Sequence, residues 1–133
     1  LSGSANYTVI DTKGNFGGTT NRTTGQVPGF IPKAGNVSLS WRYRGFSTRV
    51  LYNYTGDYIS SYNATNAGGN LYRYAFKTTN VGLAYQLRPA VSLTCDVANI
   101  FNKPQRLYQG IPGRTQDTMY NYVTVTLGVS GRF

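Results

Sequence analysis

The feature that most constrains this chain is a strict period of two in side-chain character at its C-terminal end. Val123, Val125, Leu127, Val129, Gly131 and Phe133 share one parity, and Tyr122, Thr124, Thr126, Gly128, Ser130 and Arg132 share the other. Successive side chains of a strand point to opposite faces, so this segment reads as a strand with one apolar and one polar surface. A helix would need its apolar positions to recur about every 3.6 residues instead. The pattern returns upstream. Val91, Leu93, Cys95 and Val97 oppose Ser92, Thr94, Asp96 and Ala98; Val81, Leu83, Tyr85 and Leu87 oppose Gly82, Ala84 and Gln86. Val37, Leu39, Trp41 and Tyr43 oppose Ser38, Ser40 and Arg42, whereas Leu51 breaks the pattern by falling among Ser47, Arg49 and Asn53.

Composition points the same way. Charged residues make up 13% of the 133 positions, where about a quarter is usual in soluble domains. Twelve Tyr and sixteen Gly, with abundant Thr, Ser and Asn, take their place. Tyr, Thr and Val suit strands, while Gly and Asn suit turns, so the chain is expected to be all-β.

Six strands are expected, at about 3–11, 36–43, 46–59, 72–87, 91–101 and 119–133. The connections alternate in length. Arg44-Gly45 and Arg88-Pro89-Ala90 are short, whereas residues 13–33, 60–70 and 102–118 form long polar loops carrying Gly17-Gly18, Pro28, Pro32, Pro104, Gly110, Pro112 and Gly113. In an up-and-down antiparallel meander this places every short turn at one end. Transmembrane β-barrels have that asymmetry, and their strands need about 9–11 residues to span. The apolar parities carry no charge, and aromatics gather at strand ends: Tyr43, Phe46, Tyr85 and Phe133 near the short turns, and Tyr54, Tyr58, Tyr62, Tyr72 and Tyr74 near the long loops. Two such girdles are expected at the two membrane–water interfaces. The fold class expected is therefore an antiparallel meander of about six strands forming part of a barrel wall, with residues 1–133 as one C-terminal fragment. Leu1 opens almost directly into strand, in keeping with a piece cut from a longer chain.

Several motifs carry a family resemblance. Val97-Ala98-Asn99-Ile100-Phe101-Asn102-Lys103-Pro104 resembles the penultimate-strand motif of TonB-dependent outer-membrane receptors. Val27-Pro28-Gly29-Phe30-Ile31-Pro32-Lys33-Ala34-Gly35-Asn36-Val37-Ser38-Leu39 is similar to the approach to a late barrel strand in that family, with Ala34 where His is common. Leu51-Tyr52-Asn53-Tyr54-Thr55-Gly56 is similar to a strand end, and Val129-Ser130-Gly131-Arg132-Phe133 to the closing strand with its terminal aromatic. The resemblance covers nearly everything after Val27. It implies a barrel of about 22 strands, with an N-terminal plug domain that is not in this sequence. It also implies energy-coupled uptake of a scarce ligand such as an iron chelate, cobalamin or a glycan across the bacterial cell outer membrane. The implied partners are outer-membrane lipid, the barrel-assembly machinery through Phe133, and an inner-membrane energy-coupling protein through absent N-terminal parts. A passive pore fragment and a secreted β-sandwich binding module are the alternatives; the sandwich would turn Val81, Leu83, Leu93, Val125 and Leu127 into a two-sheet interior.

No enzyme chemistry is expected. There is no His, Cys95 is the single cysteine, and Asp11, Asp57, Asp96 and Asp117 are the only acids. A nucleophile lacks its usual base, a cysteine metal cluster cannot form, and neither a metal nor a cofactor is anticipated. The net charge of +9 raises nucleic acid as a partner, but the 13 basic residues are dispersed, with no run beyond Arg42-Tyr43-Arg44. That pattern suits a solvated or lumenal population better than a phosphate footprint. Arg42, Arg49, Asp96 and Arg132 are expected to face a lumen and pair there. Candidate ligand contacts lie in the long loops at Tyr58, Tyr62, Tyr72, Arg106, Tyr108 and Arg114, because Tyr gives broad contact area and Arg binds carboxylate or phosphate. Five Asn-x-Ser/Thr sequons, at Asn6, Asn21, Asn36, Asn53 and Asn63, are attributed to the Asn- and Thr-rich composition.

Overall fold

The computed structural model describes residues 1–16, 22–24, 26–63 and 65–131. Six long strands pair in chain order into one open antiparallel sheet: β1 (Ser2–Val9), β4 (Lys33–Tyr43), β5 (Phe46–Thr55), β8 (Phe76–Arg88), β9 (Val91–Ala98) and β12 (Thr124–Gly131). Each corresponds to one of the six strands expected from sequence. The short connections are both two residues long. Arg44 and Gly45 take φ of 42° and 80° between the paired residues Tyr43 and Phe46, the signature of a type I′ turn. Pro89-Ala90 closes β8 onto β9. The Gln86 amide donates to the Gly45 carbonyl at 2.8 Å, so the two short turns sit side by side. The long excursions, residues 10–32, 56–75 and 99–123, leave from the other end.

The register fixes the faces. Directly opposed residues share a face, and Leu39, Val50, Val81, Val97 and Val125 form one row across five strands. Tyr43, Phe46, Tyr85, Leu93 and Val129 form another, nearer the short turns. The reverse face carries Ser2, Ser40, Arg49, Gly82, Asp96 and Thr126 in one row. Leu51 does lie on this polar face, opposite Ser38 and Asn80.

The apolar face is open, and so is much of the polar one, where Arg42, Arg49, Asp96 and Thr126 are exposed. Leu39 is 49% exposed, and Leu127 and Val129 on the edge strand reach 76% and 75%. Ser38 and Ser40 on the reverse face are only half-buried. Among the described residues the buried hydrophobics are Ile59 and Tyr108, and neither belongs to the six-stranded sheet. Among the described residues no second sheet packs on the apolar rows.

The expected loops are more ordered than their Gly, Pro and Asn content suggests. A second antiparallel sheet forms from β6 (Tyr58–Ser61), β7 (Leu71–Arg73), β10 (Gln105–Gln109) and β11 (Thr115–Met119), in the order β11-β10-β7-β6. A small hairpin, β2 (Gly14–Phe16) with β3 (Arg22–Thr24), lies inside the first excursion. The expected strands 46–59 and 72–87 are each interrupted. Gly56 ends β5: its amide donates to the Lys33 carbonyl at 2.7 Å, and a Cβ there would come within 3.0 Å of that oxygen. The close approach swings the chain out of the first sheet before β6 starts. Similarly, Met119 ends β11, so the last strand begins at Thr124 and not at 119. Strand nine stops at Ala98 rather than 101, because Asn99 enters the left-handed region with φ of 52°.

The Arg44-Gly45 turn fixes which residues face each other on β4 and β5. Gly45→Ala puts a Cβ at φ of 80° and 3.4 Å from the Gln86 carbonyl. It is expected to lower stability by roughly 1–2 kcal/mol, measured by equilibrium urea unfolding. An unchanged midpoint would contradict the turn assignment.

Candidate functional site

Two regions gather the residues that carry chemistry. The first is the polar face of the six-stranded sheet. Ser40, Arg42, Ser47, Arg49, Thr94 and Asp96 line a groove of about 590 Å³ there. Three of the four expected lumenal residues, Arg42, Arg49 and Asp96, therefore share one surface. Arg132 and Phe133 lie outside the described residues. Arg49 and Asp96 stand on either side of Gly82, one strand apart. Asp96 leans into the space that Gly82 leaves, since a Cβ at Gly82 would lie 2.8 Å from Oδ1.

The second region is the four-stranded sheet. Ile59, Tyr72 and Tyr108 are opposed across β6, β7 and β10, so they share a face. Tyr72 and Tyr108 stack with centroids 5.1 Å apart, and Tyr74 packs on Tyr108 at 4.6 Å. Arg106 lies over the Tyr74 ring at 5.3 Å, a cation–π arrangement. The Tyr74 hydroxyl donates to the Pro112 carbonyl and sits 3.2 Å from the Thr115 hydroxyl. Of the six expected loop contacts, Tyr72, Arg106 and Tyr108 are thus brought together around Tyr74. Tyr58 pairs opposite Arg73, on the reverse face. Tyr62 donates its hydroxyl to the Gln26 carbonyl at 2.8 Å, and Arg114 sits in the exposed turn after β10, its amide bonded to Ile111. Tyr74 was missed as a site residue, although its spacing of two from Tyr72 already put both rings on one face.

Tyr108 is 8% exposed, so most of its ring is spent on packing. Burial raises its phenol pKa above the ordinary value of about 10, helped by the nearby Asp57 carboxylate and the Tyr72 and Tyr74 rings. A neutral Tyr108 is therefore what the folded sheet accommodates.

The three excursions are tied to one another. Gly29 donates to the Ile59 carbonyl at 2.9 Å, and Gly110 to the Asn70 carbonyl at 2.9 Å. Asn70, 6% exposed, accepts from the Asn63 amide with its side chain. Asn99 performs a similar service at the base of the third excursion. Its backbone amide donates to the Asn80 Oδ1 at 2.9 Å, its Nδ2 donates to the Tyr122 carbonyl at 3.2 Å, and its Oδ1 accepts from the Lys103 amide at 3.1 Å. Asn99 thus joins β8 through its backbone amide, and the turn after β9 and the approach to β12 through its buried side chain. Neither Asn70 nor Asn99 stood out as a structural anchor in the sequence, because Asn is common in loops.

Against known proteins, the chain matches no family, no curated protein and no solved structure.

Two outcomes are expected. Asn99→Ala leaves the Lys103 amide and the Tyr122 carbonyl without their side-chain partner, a loss of roughly 1–3 kcal/mol. It should appear as lost amide-exchange protection at residues 99–104 and at Tyr122 rather than across the whole sheet. For Tyr108, the raised pKa means its contribution is intact below about pH 10 and lost as pH rises through the folded-state value. Tyr108→Phe keeps the ring and removes the ionisation, so the alkaline loss of loop-sheet protection seen in the parent should be diminished in the variant. Equal alkaline loss in both proteins would assign the effect to other groups.

Proposed function

We propose that this chain is a wall segment of an outer-membrane transport barrel, the closing strands of a receptor of the TonB-dependent type. One observation carries the reading: the six-stranded sheet is a single layer whose apolar face is open and free of charge across its middle rows, while its other face lines a groove with Arg42, Arg49 and Asp96. A soluble sheet buries its apolar side. A bilayer-spanning sheet turns that side to lipid and keeps polar groups toward a lumen. The sheet's backbone is satisfied strand to strand except at its edges, and closing β1 and β12 onto further strands would remove those edges. The excursions, knit into their own sheet at one end, suit outward-facing loops, with Tyr72, Tyr74 and Arg106 as ligand-contact candidates. The motif around Asn99, the segment from Val27 and the closing strand resemble the receptor family. On this reading the intact protein takes up a scarce ligand, such as an iron chelate, cobalamin or a glycan, with energy supplied through a plug and an inner-membrane partner.

The test compares the two faces. Leu127→Arg places a cation on the lipid-facing row, where it should cost about 2–4 kcal/mol in vesicles. Thr94→Arg, on the groove side, should cost well under half of that. Urea titration of the chain refolded into phosphatidylcholine vesicles reads both. Equal sensitivity of the two faces, or insensitivity of Leu127, would refute the membrane orientation.

A further inference from the structure

The end of the apolar face nearest the short turns differs chemically from the rest. Trp41 and Tyr43 stack with centroids 6.0 Å apart, and Phe46 meets Trp41 edge-on at 6.0 Å. The Arg44 guanidinium folds over the Tyr43 ring at 5.3 Å, which brings its charge to the rim of this face. Arg88 arrives there by another route. Regular alternation would put it with Gln86 on the polar face, but the register shifts between Gln86 and Arg88, so that Arg88 opposes Val91. Val91 shares the parity of Leu93, Cys95 and Val97, and a bulge of this kind re-aims the side chain beside it. Both arginines are exposed. None of the four acids is near them: Asp11, Asp57 and Asp117 lie in the excursions at the opposite end, and Asp96 is on the polar face.

Below this cationic rim the same face is grooved. Phe46, Leu83, Tyr85, Leu93, Leu127 and Val129 line an open channel of about 420 Å³ between the ends of β5, β8, β9 and β12. An apolar channel leading to two guanidiniums that no described side-chain carboxylate faces matches an amphiphile with an anionic head. Arg pairs well with phosphate oxygens, and aromatic rings favour the headgroup level.

We propose that this rim binds an anionic bilayer phospholipid, its phosphate held by Arg44 and Arg88 and an acyl chain lying in the channel. The proposal rests on the membrane reading above and adds to it a preference for one headgroup charge at one rim. Charge complementarity names the occupant: a zwitterionic lipid brings its own cation to the arginines, whereas phosphatidylglycerol does not.

Trp41 is the single tryptophan of the chain and sits in the rim, so its fluorescence reports on the site directly. The full chain is refolded into vesicles of equal parts phosphatidylglycerol and phosphatidylcholine, with brominated acyl chains on one lipid or the other. Brominated phosphatidylglycerol should quench Trp41 more, with a local enrichment of about fivefold for each arginine. Arg44→Gln with Arg88→Gln should bring the two lipids to equal quenching. Lys13→Gln with Lys103→Gln, the same change in net charge elsewhere, should leave the preference in place. Equal quenching in the parent chain, or loss of preference in the lysine control, overturns the lipid site while leaving the membrane reading standing. Absence of quenching by either lipid overturns both. The comparison of lipids in the parent chain decides the matter even where a variant fails to refold.

Discussion

The structure depends on one constraint: a period-two chain held in a single hydrogen-bonded register. Tyr43 faces Phe46 across the Arg44-Gly45 turn, and from that pair outward every residue of β4 and β5 is assigned a face. A slip of one residue would exchange Leu39, Trp41 and Tyr43 for Ser38, Ser40 and Arg42 over the whole surface. The sheet has no buried core of its own to correct such an error, since its apolar rows are open. Turn geometry and cross-strand pairing therefore carry the specification that a packed interior carries in a soluble domain.

The same constraint explains where side-chain hydrogen bonds matter. Within the sheet the backbone is satisfied strand to strand, and side chains add little beyond pairs such as Ser92 with Ser130 at 2.7 Å. At the ends of the strands that ladder runs out. There the buried Asn99 and Asn70 each accept from a backbone amide with their side-chain oxygen, replacing partners that the departing chain has lost. The tyrosine cluster follows a related logic. Three excursions that are individually too polar to collapse are joined by Tyr108 and Ile59, the two buried hydrophobic side chains among the described residues.

On the proposed reading, lipid takes the place of the missing core. It would supply the apolar partner for Val125, Leu127 and Val129, and the groove lined by Arg42, Arg49 and Asp96 would face water. The rim at Trp41, Arg44 and Arg88 then marks the boundary between the two environments, where aromatic and cationic groups are stable together. The opposite end has its own boundary, with Lys77 over the Tyr54 ring at 5.9 Å.

By itself, the sequence determined the strand class, the count of long strands, the two faces and the end from which the excursions leave. These follow from alternation and from turn residues at Arg44-Gly45 and Pro89, which act locally and so are visible in a linear text. Tertiary structure decided the rest. The second sheet was hidden because β6, β7, β10 and β11 are three to five residues long and β11, Thr-Gln-Asp-Thr-Met, has no apolar alternation to signal it. Their stability comes from neighbours in other excursions: Tyr72 on Tyr108, Gly29 on Ile59, Gly110 on Asn70. The bulge that turns Arg88 onto the apolar rim was likewise unreadable, since parity alone assigned it to the other face. Local periodicity records what a residue's own strand demands; only pairing across strands records where that strand departs from it.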